Sequence, residues 1–117
     1  MKKFLMATAA AALTAGTAIA GSHSGEIKIG VILGFTGPLE TITPSMGLGA
    51  ELAMKEVTAS GKLLDGATVT PVRGDSTCID ADAATAAAER LITSDKVDAI
   101  MGADCSGVTG AILQNVA

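Results

Sequence analysis

The residue types with the clearest chemical potential lie together at Cys105, Ser106 and Gly107. They directly follow the apolar run at residues 97–103, a predicted strand, and they precede a helical pattern. Free N–H groups and the positive end of the helix dipole at such a junction attract an anion such as a carboxylate. The Ser106 hydroxyl can donate to the same anion, and Gly107 lets a ligand come close to the backbone. Because serine is also a common helix N-cap, Ser106 can instead cap the first helical turn.

Nucleophilic catalysis by Cys105 or Ser106 is the alternative chemistry for this segment. A nucleophile needs a nearby base or a lowered pKa, and the chain has a single histidine, His23, far away in the sequence. The G-x-S-x-G motif of a nucleophile elbow is absent around Ser106. We therefore expect no catalytic residue here. An extracytoplasmic hydrolase or esterase whose base is supplied from outside this chain stays open as an alternative.

Cofactor motifs are also absent. The loop after the first strand, GFTGPLETIT at residues 34–43, contains neither G-x-G-x-x-G nor the G-K-[ST] of a phosphate loop. Gly34 and Gly37 are expected to shape a tight loop over the sheet instead. We expect no cofactor and no metal.

The first twenty residues have the composition of a secretory signal peptide. Lys2 and Lys3 form a basic start, an apolar Ala-rich stretch follows, and residues 18–20 form an A-x-A cleavage site. Cleavage near Ala20 predicts an exported, periplasmic protein. Residues 21–26 are then expected to be a short disordered start.

The charge balance excludes two classes of partner. The whole chain has a formal net charge of −4, and removal of Lys2 and Lys3 with the signal leaves about −6. A basic stripe, which nucleic acids and anionic membrane surfaces both require, is missing. The mature protein is expected to be a soluble exported domain that binds no nucleic acid.

Export also determines how the two cysteines are interpreted. In an oxidising compartment, Cys78 and Cys105 most simply form a disulfide. Two cysteines and His23 are too few ligands for a zinc site.

Three predicted strands alternate with three predicted helices in the order β-α-β-α-β-α. The strands are expected at residues 27–33, 67–72 and 97–103, where apolar residues dominate. Thr43 is expected to cap the first helix, with Pro44 at its first position, and Gly61 should end it. The second helix is expected to start at Asp80 and the third at Ser106. Inward-facing apolar residues at helical spacing are Met46, Ala50, Ala53, Met54, Val57, Ala84, Ala87, Ala88, Leu91, Val108 and Ile112. This order implies an α/β fold with a parallel sheet and right-handed crossovers.

Pro71 indicates the order of the strands. It cannot donate to a ladder, so the second strand should lie at an edge, which fits the order 2-1-3. The ends of strands 1 and 3 then flank a switch point, where ligands bind in such sheets. The Cys78 loop must fold over the end of strand 1 to reach Cys105.

Residues 27–117 are expected to be only part of a domain. Three strands are few for an open α/β sheet that is stable alone, and the chain stops at Ala117 within a helical pattern. We expect an N-terminal piece of a longer protein whose stability in isolation is marginal.

The segments IKIGVILGFTGPLETITPSMGLGAELAMKEV and VDAIMGADCSGVTGA, together with the Cys78 and Cys105 pair, resemble the periplasmic substrate-binding proteins of branched-chain amino-acid ABC transporters. The resemblance runs from about Glu26 to Ala117. It implies a type I periplasmic-binding-protein-like fold, in which two α/β lobes close on a free amino acid and deliver it to a membrane permease. Residues 27–117 would be the first half of the N-terminal lobe of a protein that is a monomer when full length.

The resemblance also implies roles for individual residues. Ser106, directly after Cys105, matches the position whose hydroxyl binds the ligand's α-carboxylate, with Gly107 and the helix amides assisting. Five residues after Gly37 the family often has Trp or Tyr over the ligand side chain, and this chain has Ile42. Ile42 is thus the expected side-chain contact, and the departure puts branched-chain specificity in question. A sensor domain of the same fold is a further alternative.

Overall fold

A computed structural model describes residues 25–117. The predicted signal peptide at residues 1–20, and residues 21–24 of the predicted disordered start, lie outside the described residues. Glu26, the last residue of that predicted start, is instead the first residue of a strand and is aligned with Thr68 of the neighbouring strand.

The sheet has three parallel strands in the order β2-β1-β3, which confirms the predicted order. They are β1 (Glu26–Leu33), β2 (Thr68–Asp75) and β3 (Ala99–Gly102). The central strand β1 is covered on both faces at its carboxyl end, where Val31 and Ile32 are fully buried. This burial explains why its sequence is nearly continuously apolar. Pro71 lies on the edge strand β2, opposite Ile29.

The bounds of all three strands differ from the prediction by one to three residues. β2 continues to Asp75 because residues 73–75 stay in register with residues 31–33 of β1. β3 is shorter than predicted and starts at Ala99. Before it, the Asp98 side chain accepts a hydrogen bond from the Lys28 amide at 2.8 Å, so this part of the chain already lies beside β1.

Three helices connect and follow the strands: α1 (Thr43–Ser60), α2 (Ala81–Thr93) and α3 (Ser106–Val116). Asp80 caps α2 as predicted, with its carboxylate accepting from the amides of Asp82 and Ala83 at 3.0 Å. Gly61 ends α1 in the left-handed conformation, with φ of 63°.

The predicted caps of α1 and α3 are wrong by one residue. Ile42 and Cys105 occupy the N-cap positions, and Thr43 and Ser106 are the first helical residues. Neither helix start has a side-chain capping hydrogen bond. The Thr43 hydroxyl is used elsewhere, because it donates to the Gly34 carbonyl at 2.7 Å.

The core lies between the sheet and the α2–α3 pair. Its fully buried members are Ile32 of β1 and five helix residues that the sequence predicts to face inward: Ala84, Ala88, Leu91, Val108 and Ile112. Ala87 packs against this cluster while partly buried. The predicted packing of α2 and α3 is thus confirmed.

The prediction for α1 is only partly correct. The buried residues of this helix are Thr43 and Gly47, whereas Ala50 and Met54 are half-buried and the other predicted inward residues are exposed. Met46 is 47% exposed and Val57 is 40% exposed. An open apolar groove of about 330 Å³ separates α1 from the sheet, and we call it the α1 groove; its lining is Ile27, Ile29, Ala50, Ala53, Met54, Val57, Leu63, Val69 and Met101. The sheet of this chain therefore has one packed face and one partly open face.

Within residues 25–117, none of the helices combines the length and the apolar character that crossing a membrane requires.

Candidate functional site

The carboxyl ends of all three strands meet at one edge of the sheet, and α3 begins there. Ser106 and Gly107 occupy the first two positions of α3, and both are exposed. Cys105 is half-buried behind them and makes no side-chain capping bond. The start of α3 therefore faces outward with a hydroxyl and helix amides, which is an arrangement suited to an anion.

A disulfide between Cys78 and Cys105 holds this helix start. The loop that carries Cys78 passes over the end of β1, as the sequence predicts. A Cβ added to Gly34 would lie only 3.1 Å from the Cys78 Cβ, and one added to Gly37 would lie 2.6 Å from the Thr77 carbonyl oxygen. Gly37 also has a φ of 87°, so close approach and backbone conformation both require glycine there.

Asp104 is the polar residue at this edge that the sequence analysis missed. Its carboxylate oxygens lie 3.2 and 3.1 Å from the Gly34 amide nitrogen, which donates to them. The fully buried Ser76 donates its hydroxyl to the same carboxylate at 3.4 Å. Asp104 thus connects the ends of β1 and β2 to the start of α3. An acidic residue directly after an apolar strand was the signal available in the sequence.

Thr43 continues this connection to α1. Its hydroxyl donates to the Gly34 carbonyl at 2.7 Å and contacts the Leu39 carbonyl oxygen at 3.1 Å, and the residue is fully buried. Ile42, directly before it, is 56% exposed. The backbone at Ile42 is therefore fixed, while its side chain is free to contact another molecule.

Asp75 organises the loop after β1. Its carboxylate accepts from the Thr36 hydroxyl at 2.6 Å and from the Thr77 amide at 2.9 Å. Partial burial acts to raise the pKa of Asp75, but these hydrogen bonds, with further ones from the Thr36 and Phe35 amides, outweigh it and lower the pKa below its ordinary value. Asp75 is therefore ionised whenever the loop is formed at neutral pH.

Phe35 packs against α1. Its ring lies so close to Gly47 that an added Cβ would be 2.9 Å away, and the Arg73 guanidinium carbon is 4.8 Å from the ring centroid. A 2.5 Å hydrogen bond to Glu51 holds the Arg73 guanidinium and raises the pKa of Arg73. Phe35 is thus held between Gly47 and Arg73.

The sequence-predicted site residues all lie at this same edge. Cys105, Ser106 and Gly107 begin α3, and Ile42 directly precedes α1. Three cavities among residues 25–117 lie elsewhere and are not lined by these residues. Because Ile42, Ser106 and Gly107 are all exposed, the candidate site is an open surface. Among residues 25–117 there is also no group of three or more His, Cys, Asp or Glu side chains placed to hold a metal ion.

This fold and this edge belong to a known family. The sequence profile of the family described as "Periplasmic binding protein" matches residues 26–117, so the chain belongs to the periplasmic binding protein family. Its members are non-enzymatic solute-binding proteins of ABC transporters, and membership implies an extracytoplasmic location. The family match therefore argues against the hydrolase alternative.

Individual relatives share the sequence and the fold. The "Leu/Ile/Val-binding protein homolog 7" of Brucella abortus (strain 2308) is 38% identical over 107 residues, which cover 92% of this chain and 25% of the relative. The branched-chain amino acid transporter substrate binding protein LivJ of Streptococcus pneumoniae, solved with isoleucine, superposes with a TM-score of 0.69 and 32% identity over 77% of this chain and 25% of that one. A Rhodopseudomonas palustris solute binding protein, solved with benzoate, superposes with a TM-score of 0.61 and 26% identity. The match covers 78% of this chain and 24% of that one.

Two facts follow from these relatives. The chain spans about a quarter of the length of the proteins that it matches. The ligands named for the solved relatives are isoleucine and benzoate, which both carry a carboxylate.

Proposed function

We propose that this chain forms the first half of the N-terminal lobe of an extracytoplasmic solute-binding protein of an ABC importer. The whole protein binds a free amino acid between two lobes and delivers it to a membrane permease. Branched-chain amino acids are the first candidates. Closure of two lobes around the ligand is the mechanism, because the closed state adds the contacts of the second lobe to those of the first and the ligand therefore favours it.

The observation that carries the proposal is the outward-facing start of α3. Ser106 and Gly107 are exposed at the carboxyl edge of the sheet, directly after a cysteine that the disulfide holds in place. The Ser106 hydroxyl donates to the ligand carboxylate, and the first amides of α3 add N–H donors along the helix dipole. A carboxylate is also the group that isoleucine and benzoate share.

Ile42 contacts the ligand side chain in this proposal. It presents more than half of its surface at the same edge, and an aliphatic side chain suits an aliphatic or aromatic ligand by burying apolar surface. The rest of the pocket, including the group that binds the ligand's ammonium, is supplied by parts of the protein other than residues 25–117.

Substitution of Ser106 tests the proposal. In the whole protein, Ser106→Ala should weaken amino-acid binding by about 1–3 kcal/mol, because a hydrogen bond to a charged group is lost. Isothermal titration calorimetry with L-leucine, L-isoleucine and L-valine measures the change.

The matched control is Ser94→Ala. Ser94 is an exposed serine at the end of α2, and this helix runs from the carboxyl edge of the sheet to the opposite one. Its removal should leave affinity unchanged. Equal affinities for wild type and Ser106→Ala would contradict the assignment of the carboxylate to Ser106.

A further inference from the structure

Asp104 lies where the ends of β1 and β2 meet the start of α3. It is not one of the residues proposed to contact the ligand. Its carboxylate accepts from the Gly34 amide with both oxygens, at 3.2 and 3.1 Å, and from the Ser76 hydroxyl at 3.4 Å. Gly34 follows β1, Ser76 follows β2, and Asp104 itself precedes α3 by two residues. One carboxylate therefore connects the ends of two strands to the start of the proposed carboxylate-binding helix.

Gly34 links Asp104 to Thr43 through its own backbone. Its amide donates to Asp104, while its carbonyl accepts from the Thr43 hydroxyl at 2.7 Å. The hydrogen bonds from Asp104 through Gly34 to Thr43 form a series that is largely shielded from solvent. Gly34 and Thr43 are buried, and Asp104 is half-buried. Hydrogen bonds in such surroundings are stronger than exposed ones, and bonds to an ionised acceptor are stronger than neutral ones.

The series ends beside the two proposed ligand contacts. Ser106 lies two residues after Asp104, and Ile42 lies directly before Thr43. A change at Asp104 or Thr43 therefore alters the spacing between the start of α3 and the loop that carries Ile42.

We infer that Asp104 is a positioning residue for the proposed ligand site: through Gly34 and Thr43 it fixes the distance between the carboxylate-binding start of α3 and Ile42. The inference rests on the proposed function. Asp104 does not touch the ligand in this account.

The test uses Asp104→Asn, Thr43→Val and the double variant of the whole protein, titrated with L-leucine, L-isoleucine and L-valine. Asp104→Asn keeps the shape but removes the charge and one acceptor oxygen. Thr43→Val keeps the shape and removes the hydroxyl donor. Each single variant should raise Kd roughly tenfold. The double variant should raise it by much less than the product of the two, because both substitutions break the same connection.

Thr58→Val is the matched control for a loss of stability. Thr58 lies on the same helix, and its hydroxyl accepts from the Val69 amide at 2.8 Å, near the opposite edge of the sheet. This variant also loses a hydrogen bond to the β2 backbone, but it should leave Kd within twofold of wild type. The ratio of the Kd values for the three amino acids should change in Asp104→Asn and Thr43→Val only, since spacing affects how each side chain fits against Ile42.

The outcomes separate the inference from the proposed function. If wild type binds none of the three amino acids, the proposed function fails for this ligand class and the inference falls with it. If wild type binds and both single variants keep its Kd and its ligand ratios, the inference alone is overturned. It is also overturned if Thr58→Val raises Kd as much as Thr43→Val. Should Asp104→Asn not fold, Thr43→Val against Thr58→Val still decides.

Discussion

At the start of α3, Cys105 is the N-cap residue and Ser106 carries the exposed hydroxyl, whereas sequence rules assign both roles to Ser106. Cap statistics favour serine over cysteine, and they therefore predict Ser106 as the N-cap. In the structure, the disulfide-bonded Cys105 has the extended backbone of an N-cap, with φ of −115° and ψ of 130°, and Ser106 becomes helical. Cys105 is at the same time bonded to Cys78, 27 residues away. The residue types of the site and the disulfide could be predicted from the sequence, but the exact residue at which α3 begins could not.

Asp104 was missed for a related reason. Its identity is visible in the sequence, but its meaning depends on Gly34 and Ser76, which lie 70 and 28 residues away. Local rules describe acidic residues near helix starts as caps or dipole partners. Only the meeting of three strand ends shows that this carboxylate connects them.

Asp75 leads to a prediction at the residue scale. Its pKa is lowered in the folded state, so the unfolded state binds the proton more readily and stability depends on pH. The stabilisation is complete above the ordinary aspartate pKa of about 3.9, and it is lost as the pH falls through the lower folded value. Urea unfolding of the whole protein between pH 2 and pH 6 should show this loss in wild type, and Asp75→Asn should show less of it. Asp65→Asn, which removes an exposed carboxylate from the loop before β2, is the control. If the unfolding free energies of wild type and Asp75→Asn changed with pH in the same way, the role given to this carboxylate would be refuted.

At the scale of elements, the sequence determined most of the architecture. Apolar runs and helical spacing predict all three strands and all three helices. Pro71 places the second strand at an edge, which fits the observed order 2-1-3. The strand bounds were less predictable. The register of β2 against β1, which carries the strand on to Asp75, is set by pairing between segments 42 residues apart. Pairing of this kind has no local signature.

The disulfide gives a prediction for the elements that it joins. It links the loop after β2 to the start of α3 across a separation of 27 residues. In the chain-entropy model, closing a loop of this length stabilises the folded state by about 3–4 kcal/mol. The double variant Cys78→Ala/Cys105→Ala should lower the unfolding free energy of the whole protein by that amount, as measured by urea titration. Reduction of wild type with a thiol should have the same effect and should not affect the double variant. A loss under about 1 kcal/mol would show that the two elements are held together without it.

At the scale of the whole molecule, this chain accounts for one packed face of a sheet and about a quarter of the length of its relatives. The α1 groove has an entirely apolar lining formed by the sheet, α1 and Leu63 of the following loop. Three further apolar residues of α1 are each about half exposed: Met46, Leu48 and Leu52. Apolar surface of this extent in contact with water contributes nothing to folding.

We therefore predict that residues 25–117 alone are only marginally stable. Their unfolding free energy should lie below the roughly 5 kcal/mol at which native domains begin, and they should bind an apolar dye such as ANS. Urea titration and dye fluorescence of the isolated segment measure both quantities. A cooperative transition with an unfolding free energy well above that value, without dye binding, would mean that the packed α2–α3 face suffices for a stable domain.

Binding of an amino acid at the edge where α3 begins should stabilise the whole protein. Thermal unfolding of the whole protein against a panel of L-amino acids, with benzoate and other small carboxylates included, measures this stabilisation. A ligand at a hundred times its Kd adds about 2.7 kcal/mol to the stability of the folded state, which raises Tm by several degrees. Such a rise is expected with L-leucine, L-isoleucine or L-valine. Ser106→Ala should give a smaller rise at the same ligand concentration, because its higher Kd reduces the free energy that the ligand contributes. A rise with benzoate alone would move the substrate to the aromatic acids. No rise with any member of the panel would contradict amino-acid binding at this edge.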